Sequence, residues 1–279
     1  MEKVVLAIDG DADRVVAAAL SDLDPVLSQL QGRVLLVGGL MQRIWLHLRP
    51  VTGIAPRATA DVDLGIDKKG LRLTADSQRI GPLLEERGYE ARPGEDGFRF
   101  EKRLQHGSIL VDLLIAKGAS RSEPPILEKG IETIAAPGLA YALSRPSVLV
   151  EVTFADGDDL TVVELPMPTL DAAFVLKAAL VGVRKRPDRL ERDTVDALML
   201  AGACASDADA VEALSEARSK SKEVRRSLAL LDNGFDSPER AQARRVIGYL
   251  KRERGIESGY AGDWVVGVAR SLSTKVGSR

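Results

Sequence analysis

Hydrophobic and polar positions alternate along this chain in two periods, first that of strands and then that of helices. Val34-Leu-Leu-Val37 is a continuous apolar run that predicts a buried strand, ended by Gly38-Gly39. The apolar segment Leu40 to Leu48 predicts a helix, and Arg49 to Ala58, holding Pro50, Gly53 and Pro56, predicts a loop. From Ala60 to Ile66 the pattern is that of a strand in which Asp61 and Asp63 alternate with Val62 and Leu64. Residues two apart on a strand share a face, so the two carboxylates point the same way.

Further elements follow from the same rules. Val15, Val16, Ala19, Leu20, Leu23, Leu27 and Leu30 have helical spacing within residues 11–31. Asp76 to Arg87 reads as a surface helix stopped by Gly88. Phe98 to Leu104 and Ser108 to Ile115 read as paired strands joined at Gln105-His106-Gly107, with Asp112 inside the second. The proline-rich stretch 116–147 reads as mostly irregular, with one short strand near Ile131. Val148 to Phe154 and Leu160 to Leu165 predict a hairpin. After Thr169, a plausible N-cap, Ala172, Phe174, Leu176, Ala179, Leu180 and Val183 mark an apolar helix containing Lys177, broken at Pro187. A helix over 188–202 carries Asp193 and Asp196 one turn apart, and residues 206–279 predict three or four more helices. The expected fold class is therefore α/β (α+β): a mixed-sheet core over 1–165, then a helical domain over 166–279.

Composition changes little in this picture. At 279 residues there is room for two modest domains, and 45% hydrophobic with 29% charged residues is normal for a globular protein. The single cysteine, Cys204, permits no disulfide within the chain. No stretch approaches the roughly 20 apolar residues that span a bilayer, and an acid at Asp9 interrupts any signal-peptide pattern. The expectation is a cytoplasmic protein with no membrane partner. Charge is uneven: residues 1–165 hold 19 Lys/Arg against 25 Asp/Glu, and residues 166–279 hold 20 against 16. A mildly basic second half suits nucleic acid or nucleotide phosphates, and suits a solvated helical surface equally.

Two carboxylates side by side repel unless a cation lies between them, and magnesium, a hard ion seeking oxygen ligands, is the usual solution. A glycine pair before a helix admits a phosphate to backbone N–H groups. Asp112, flanked by Leu110, Val111, Leu113 and Leu114, needs a counter-charge. It becomes a third carboxylate if its strand lies beside that of Asp61 and Asp63; otherwise it is a salt-bridged edge residue.

Gly38-Gly39, Arg57-Ala-Thr59-Ala-Asp61-Val-Asp63-Leu, Leu110-Val-Asp112-Leu-Leu, Lys177, and Arg192-Asp193-Thr-Val-Asp196 together resemble the nucleotidyltransferase superfamily with the polymerase-β-like core. The resemblance is closest to its AbiEii-type branch of toxin–antitoxin and phage-defence proteins, and covers about residues 33 to 200. It implies magnesium-dependent transfer of a nucleoside monophosphate from an NTP, such as ATP, to a tRNA or protein hydroxyl, with an antitoxin as a possible partner. Asp61, Asp63 and Asp112 would hold two metal ions about 4 Å apart, and Asp112 would help to activate the acceptor hydroxyl. Gly38 and Gly39 would bind the triphosphate, Lys177 would meet its β- or γ-phosphate, and Arg57 and Thr59 would contact phosphate or acceptor. Asp193 and Asp196 would orient Lys177 or Lys185, or lie near the base or acceptor.

Each feature has a plainer reading. Gly38-Gly39 alone is a turn, Asp61 and Asp63 a polar strand face, Lys177 a snorkelling helix lysine, and Asp193/Asp196 helix-surface acids. His47 fits packing and His106 an exposed turn. P-loop, zincin and hydrolase motifs are missing from the sequence. Two alternatives stay open: transfer to a small hydroxylated molecule, and a non-catalytic binding or antitoxin-like module.

Overall fold

Val4 and Leu6 are buried while Val5 is exposed, and this alternation makes Glu2–Ala7 a strand, β1, where sequence reading had identified no element. In the computed structural model the described residues are 1–30, 34–57, 59, 61–67, 80–92, 99–116, 126–128, 131–184 and 186–277. They form two compact units, one of Met1–Leu48 with Pro56–Pro168, the other of Arg49–Ala55 with Thr169–Arg279.

In the first unit, β1 is followed by α1 (Asp11–Gln29), β2 (Val34–Val37), α2 (Gly38–Leu48) and β3 (Asp61–Ile66). Then come α3 (Ile80–Glu86), β4 (Glu90–Ala91), β5 (Arg99–Leu104) and β6 (Gly107–Ala116). The helix expected from Asp76 is seen from Ile80, since 76–79, like Phe98, lie outside the described residues. The stretch read as mostly irregular contains β7 (Ile126–Glu128), β8 (Ile131–Glu132), β9 (Ile134–Ala136) and α4 (Leu139–Ser144). The expected hairpin is β10 (Ser147–Asp156) and β11 (Asp159–Pro168).

Two sheets organise this unit. In one, β1 runs parallel to β10, which pairs antiparallel with β11. In the other the order is β2-β3-β6-β5-β4, with β9 also beside β6. β3 and β6 are parallel; β2 and β5 are antiparallel to their neighbours. α1 packs on β6 and β11 through buried Val16, Ala19, Leu20 and Leu23, the periodic stripe legible in the sequence. Asp13 of α1 and Arg43 of α2 form a buried ion pair, and Asp13 also accepts from Asp9 N–H at 3.1 Å.

The second unit is helical: α5 (Leu170–Val181), α6 (Pro187–Ser206), α7 (Ala208–Lys220), α8 (Lys222–Gly234), α9 (Ala241–Arg254) and α10 (Ser258–Gly277). α5 is buried on nearly every side, as its unbroken run of apolar residues requires. The loop expected over 49–58 divides between the units. Its residues 49–55 belong to the helical one, where Trp264 Nε1 donates to Thr52 O at 3.0 Å and Arg49 pairs with Asp207 at 2.8 Å. Gly53, at φ +103, leaves no room for a Cβ against the Tyr260 ring.

The class is thus mixed α/β, with ten helices among the described residues and sheets of mixed direction. No described helix is long and apolar enough to cross a membrane.

Candidate functional site

Val37 ends β2 opposite Asp63 of β3, and the chain turns immediately into α2. Gly38 makes that turn at φ +74, in the left-handed region that side chains avoid. A Cβ there would also collide with the Asp63 carboxylate. Asp63 therefore lies against the bare Cα of Gly38 at the N-terminal end of α2, the end that favours negative charge. A Cβ at Gly39 would stand 3.1 Å from Thr59 Oγ1 and 3.2 Å from Arg57 Nη2. A hydroxyl and a guanidinium thus adjoin the same helix end.

Asp61 and Asp63 are half-buried while Val62 and Leu64 between and after them are fully buried, so β3 has the two faces its alternation predicts. Along the same face as the carboxylates, Gly65 is covered by α4: a Cβ there would come within 2.7 Å of Leu139 Cδ1. The register with β6 sets Asp63 directly opposite Asp112 and Asp61 opposite Leu110. Asp112 does reach the strand beside Asp61 and Asp63, and it is also ion-paired. Arg99 of β5, its cross-strand partner, forks onto it with Nε–Oδ1 2.7 Å and Nη2–Oδ2 2.8 Å. Across β3, β6 and β5 the row reads Asp63, Asp112, Arg99.

Arg99 is the residue that sequence reasoning missed. The strand pair was recognised, but its register was not fixed. A two-residue loop at Gln105-His106 sets Leu104 opposite Gly107, and counting back five residues on each strand sets Arg99 opposite Asp112.

The other candidates lie in the second unit. Lys177 on α5 donates to Asp196 on α6 at 2.9 Å, and both side chains are only 3% exposed. Asp193, one turn earlier on α6, is buried too and pairs with Arg184 at 2.6 Å. Neither is the surface acid of the plainer reading. Asp196 orients Lys177, while Arg184 takes Asp193; Lys185 lies outside the described residues. Cys204 is fully buried, and its desolvation, with Asp171 and Asp207 nearby, pushes the thiol pKa well up.

Among the described residues no group of three His, Cys, Asp or Glu side chains is arranged to hold a metal ion. Asp61 and Asp63 form a pair on one face, and magnesium is commonly bound by one or two carboxylates with substrate phosphates and water supplying the rest. The pair fits such an ion; a ready-made cage does not exist here.

No protein-family model matches the chain, and no curated protein and no solved structure matches it.

Proposed function

We propose that this chain is a magnesium-dependent nucleotidyltransferase. It moves a nucleoside monophosphate from an NTP to a hydroxyl of tRNA or protein, as a toxin of the AbiEii type would. One observation carries the reading: Gly38-Gly39, Arg57, Thr59 and Asp63, spread over 26 sequence positions, gather at the N-terminal end of α2. That arrangement provides N–H groups, a guanidinium and a hydroxyl for phosphate oxygens, with carboxylates alongside.

On this reading Arg57, Thr59 and the first turn of α2 hold the triphosphate and turn its α-phosphorus toward the acceptor. Asp61 and Asp63 hold magnesium. The bound ion supplies positive charge to the triphosphate and acidifies the acceptor hydroxyl. A bond forms from the acceptor oxygen to the α-phosphorus, the bond to the bridging oxygen breaks, pyrophosphate leaves, and the hydroxyl proton passes to solvent. The reading rests on the first unit alone; in the second, Lys177 and Asp196 neutralise each other.

The test is transfer of α-labelled NTP, each nucleotide in turn, to total tRNA, to cell extract and to small hydroxylated molecules. Magnesium is present throughout, and Asp61→Ala/Asp63→Ala is the blank. Label on tRNA or protein that vanishes in the blank is expected. Label on small molecules alone moves the acceptor class. Magnesium-dependent NTP binding without transfer favours the binding-module alternative.

A further inference from the structure

We infer that Asp112 is not a metal ligand but the anchor of Arg99, so that this sheet face presents a divalent ion with two carboxylates and a fixed guanidinium beside them. The inference rests on the metal-dependent reading above and narrows its ligand set. It departs from the three-carboxylate arrangement that the sequence suggests.

Three observations carry it. The first is register. Arg99 and Asp112 are directly opposed residues of a tight hairpin, so their Cβ atoms are held within about 4.5–5.5 Å by the backbone itself. Their pairing does not depend on a mobile surface rotamer. The second is geometry. The guanidinium engages both carboxylate oxygens, at 2.7 and 2.8 Å, in the parallel fork that is the strongest form of this pair. The Arg99 and Asp112 side chains are only 21% and 11% exposed. An ion bound to Asp112 would therefore face the guanidinium charge with little water to screen it.

The third is charge. Asp61, Asp63 and Asp112 carry three negative charges, and Arg99 returns one positive. The remainder matches one divalent ion and leaves nothing to balance a second. Arg99 thus occupies the place of a second cation in the row Asp63, Asp112, Arg99. Its charge persists at any working pH, because a guanidinium does not deprotonate in proteins.

The test counts bound Mn2+ in the full-length protein from the electron paramagnetic resonance signal of free Mn2+. Wild type is expected to bind one ion. Asp63→Asn is expected to lose it, by more than the ~10–100-fold that outer-shell changes cost. Asp112→Asn is expected to keep it. Asp112→Asn leaves Arg99 without its anchor, so the double variant Arg99→Met/Asp112→Leu, which removes both charges together, accompanies it as a folded control. It too is expected to keep one ion. Arg99→Met alone frees Asp112 and is expected to raise the count or tighten binding.

Two ions in wild type, or loss of an ion in both Asp112 variants, overturns the inference while leaving metal dependence intact. No Mn2+ bound to wild type overturns the inference and the metal-dependent reading together.

Discussion

Two sets of charged residues, one in each unit, illustrate opposite uses of charge. In the second unit every candidate is matched: Lys177 with Asp196, and Arg184 with Asp193. The Lys177–Asp196 pair is buried as deeply as the apolar core around it. In the first unit Asp61 and Asp63 are half-buried on one strand face, Asp112 stands beside them, and Arg99 is the cation of the row. Matched, desolvated charges are held for the fold. An excess of one sign, kept partly in reach of water at a helix end, costs stability and is the mark of a ligand site.

The largest effect that would break this comparison lies in the second unit. Lys177→Met is expected to destabilise by about 3–5 kcal/mol, because it strands a buried carboxylate. Adding Asp196→Leu should restore much of that loss, measured by chemical denaturation. A mild effect of Lys177→Met would show that the pair is solvated and available. Gly38→Ala comes next. It forces a side chain into a positive-φ position and onto Asp63, and should cost more than the ~1 kcal/mol typical of strained glycine sites, along with loss of NTP binding.

Asp207 sharpens the comparison through pH. Burial alone would raise its pKa, but the Ala210 N–H at 3.0 Å and Arg49 at 2.8 Å hold it below its ordinary 3.8. A depressed carboxylate stabilises the fold above its unfolded pKa and loses that contribution as pH falls through the folded value. Asp207→Ala, which also removes the cap of α7, should cost about 0.5–2 kcal/mol near neutrality. The difference from wild type should shrink progressively below pH 3.8 in acid unfolding curves. The smallest effect has the opposite sign. Asp61→Asn should leave the metal-free protein equally stable or a few tenths of a kcal/mol more stable, since it relieves like-charge repulsion. A loss comparable to that of Lys177→Met would make Asp61 a structural residue.

Much of this was legible in the sequence, for identifiable reasons. The stripe of α1, the alternation of β3 and the β10–β11 hairpin follow from periodicity, which burial enforces. β1 was missed because its pairing is with β10, about 148 positions away, and no local signal records such a parallel partner. The 49–55 segment looked like an insertion in the core. Its attachment to Trp264 and Asp207 is long-range and therefore invisible locally. Asp61, Asp63 and Gly38-Gly39 stood out because their residue types are costly where they are. Arg99 did not, since an arginine in a strand beside Glu101 and Lys102 looks like an ordinary polar edge. Only the hairpin register shows that it faces Asp112.

The central claim, that the first unit's unbalanced carboxylates serve a magnesium-bound nucleotide, is tested most directly by thermal unfolding with magnesium and each NTP. Wild type is compared with Asp61→Asn/Asp63→Asn. Ligand at about 100 times its Kd should stabilise wild type by about 2.7 kcal/mol, a rise of several degrees in Tm, and leave the variant unmoved. An equal rise in the variant, or none in wild type with any NTP, would contradict the account.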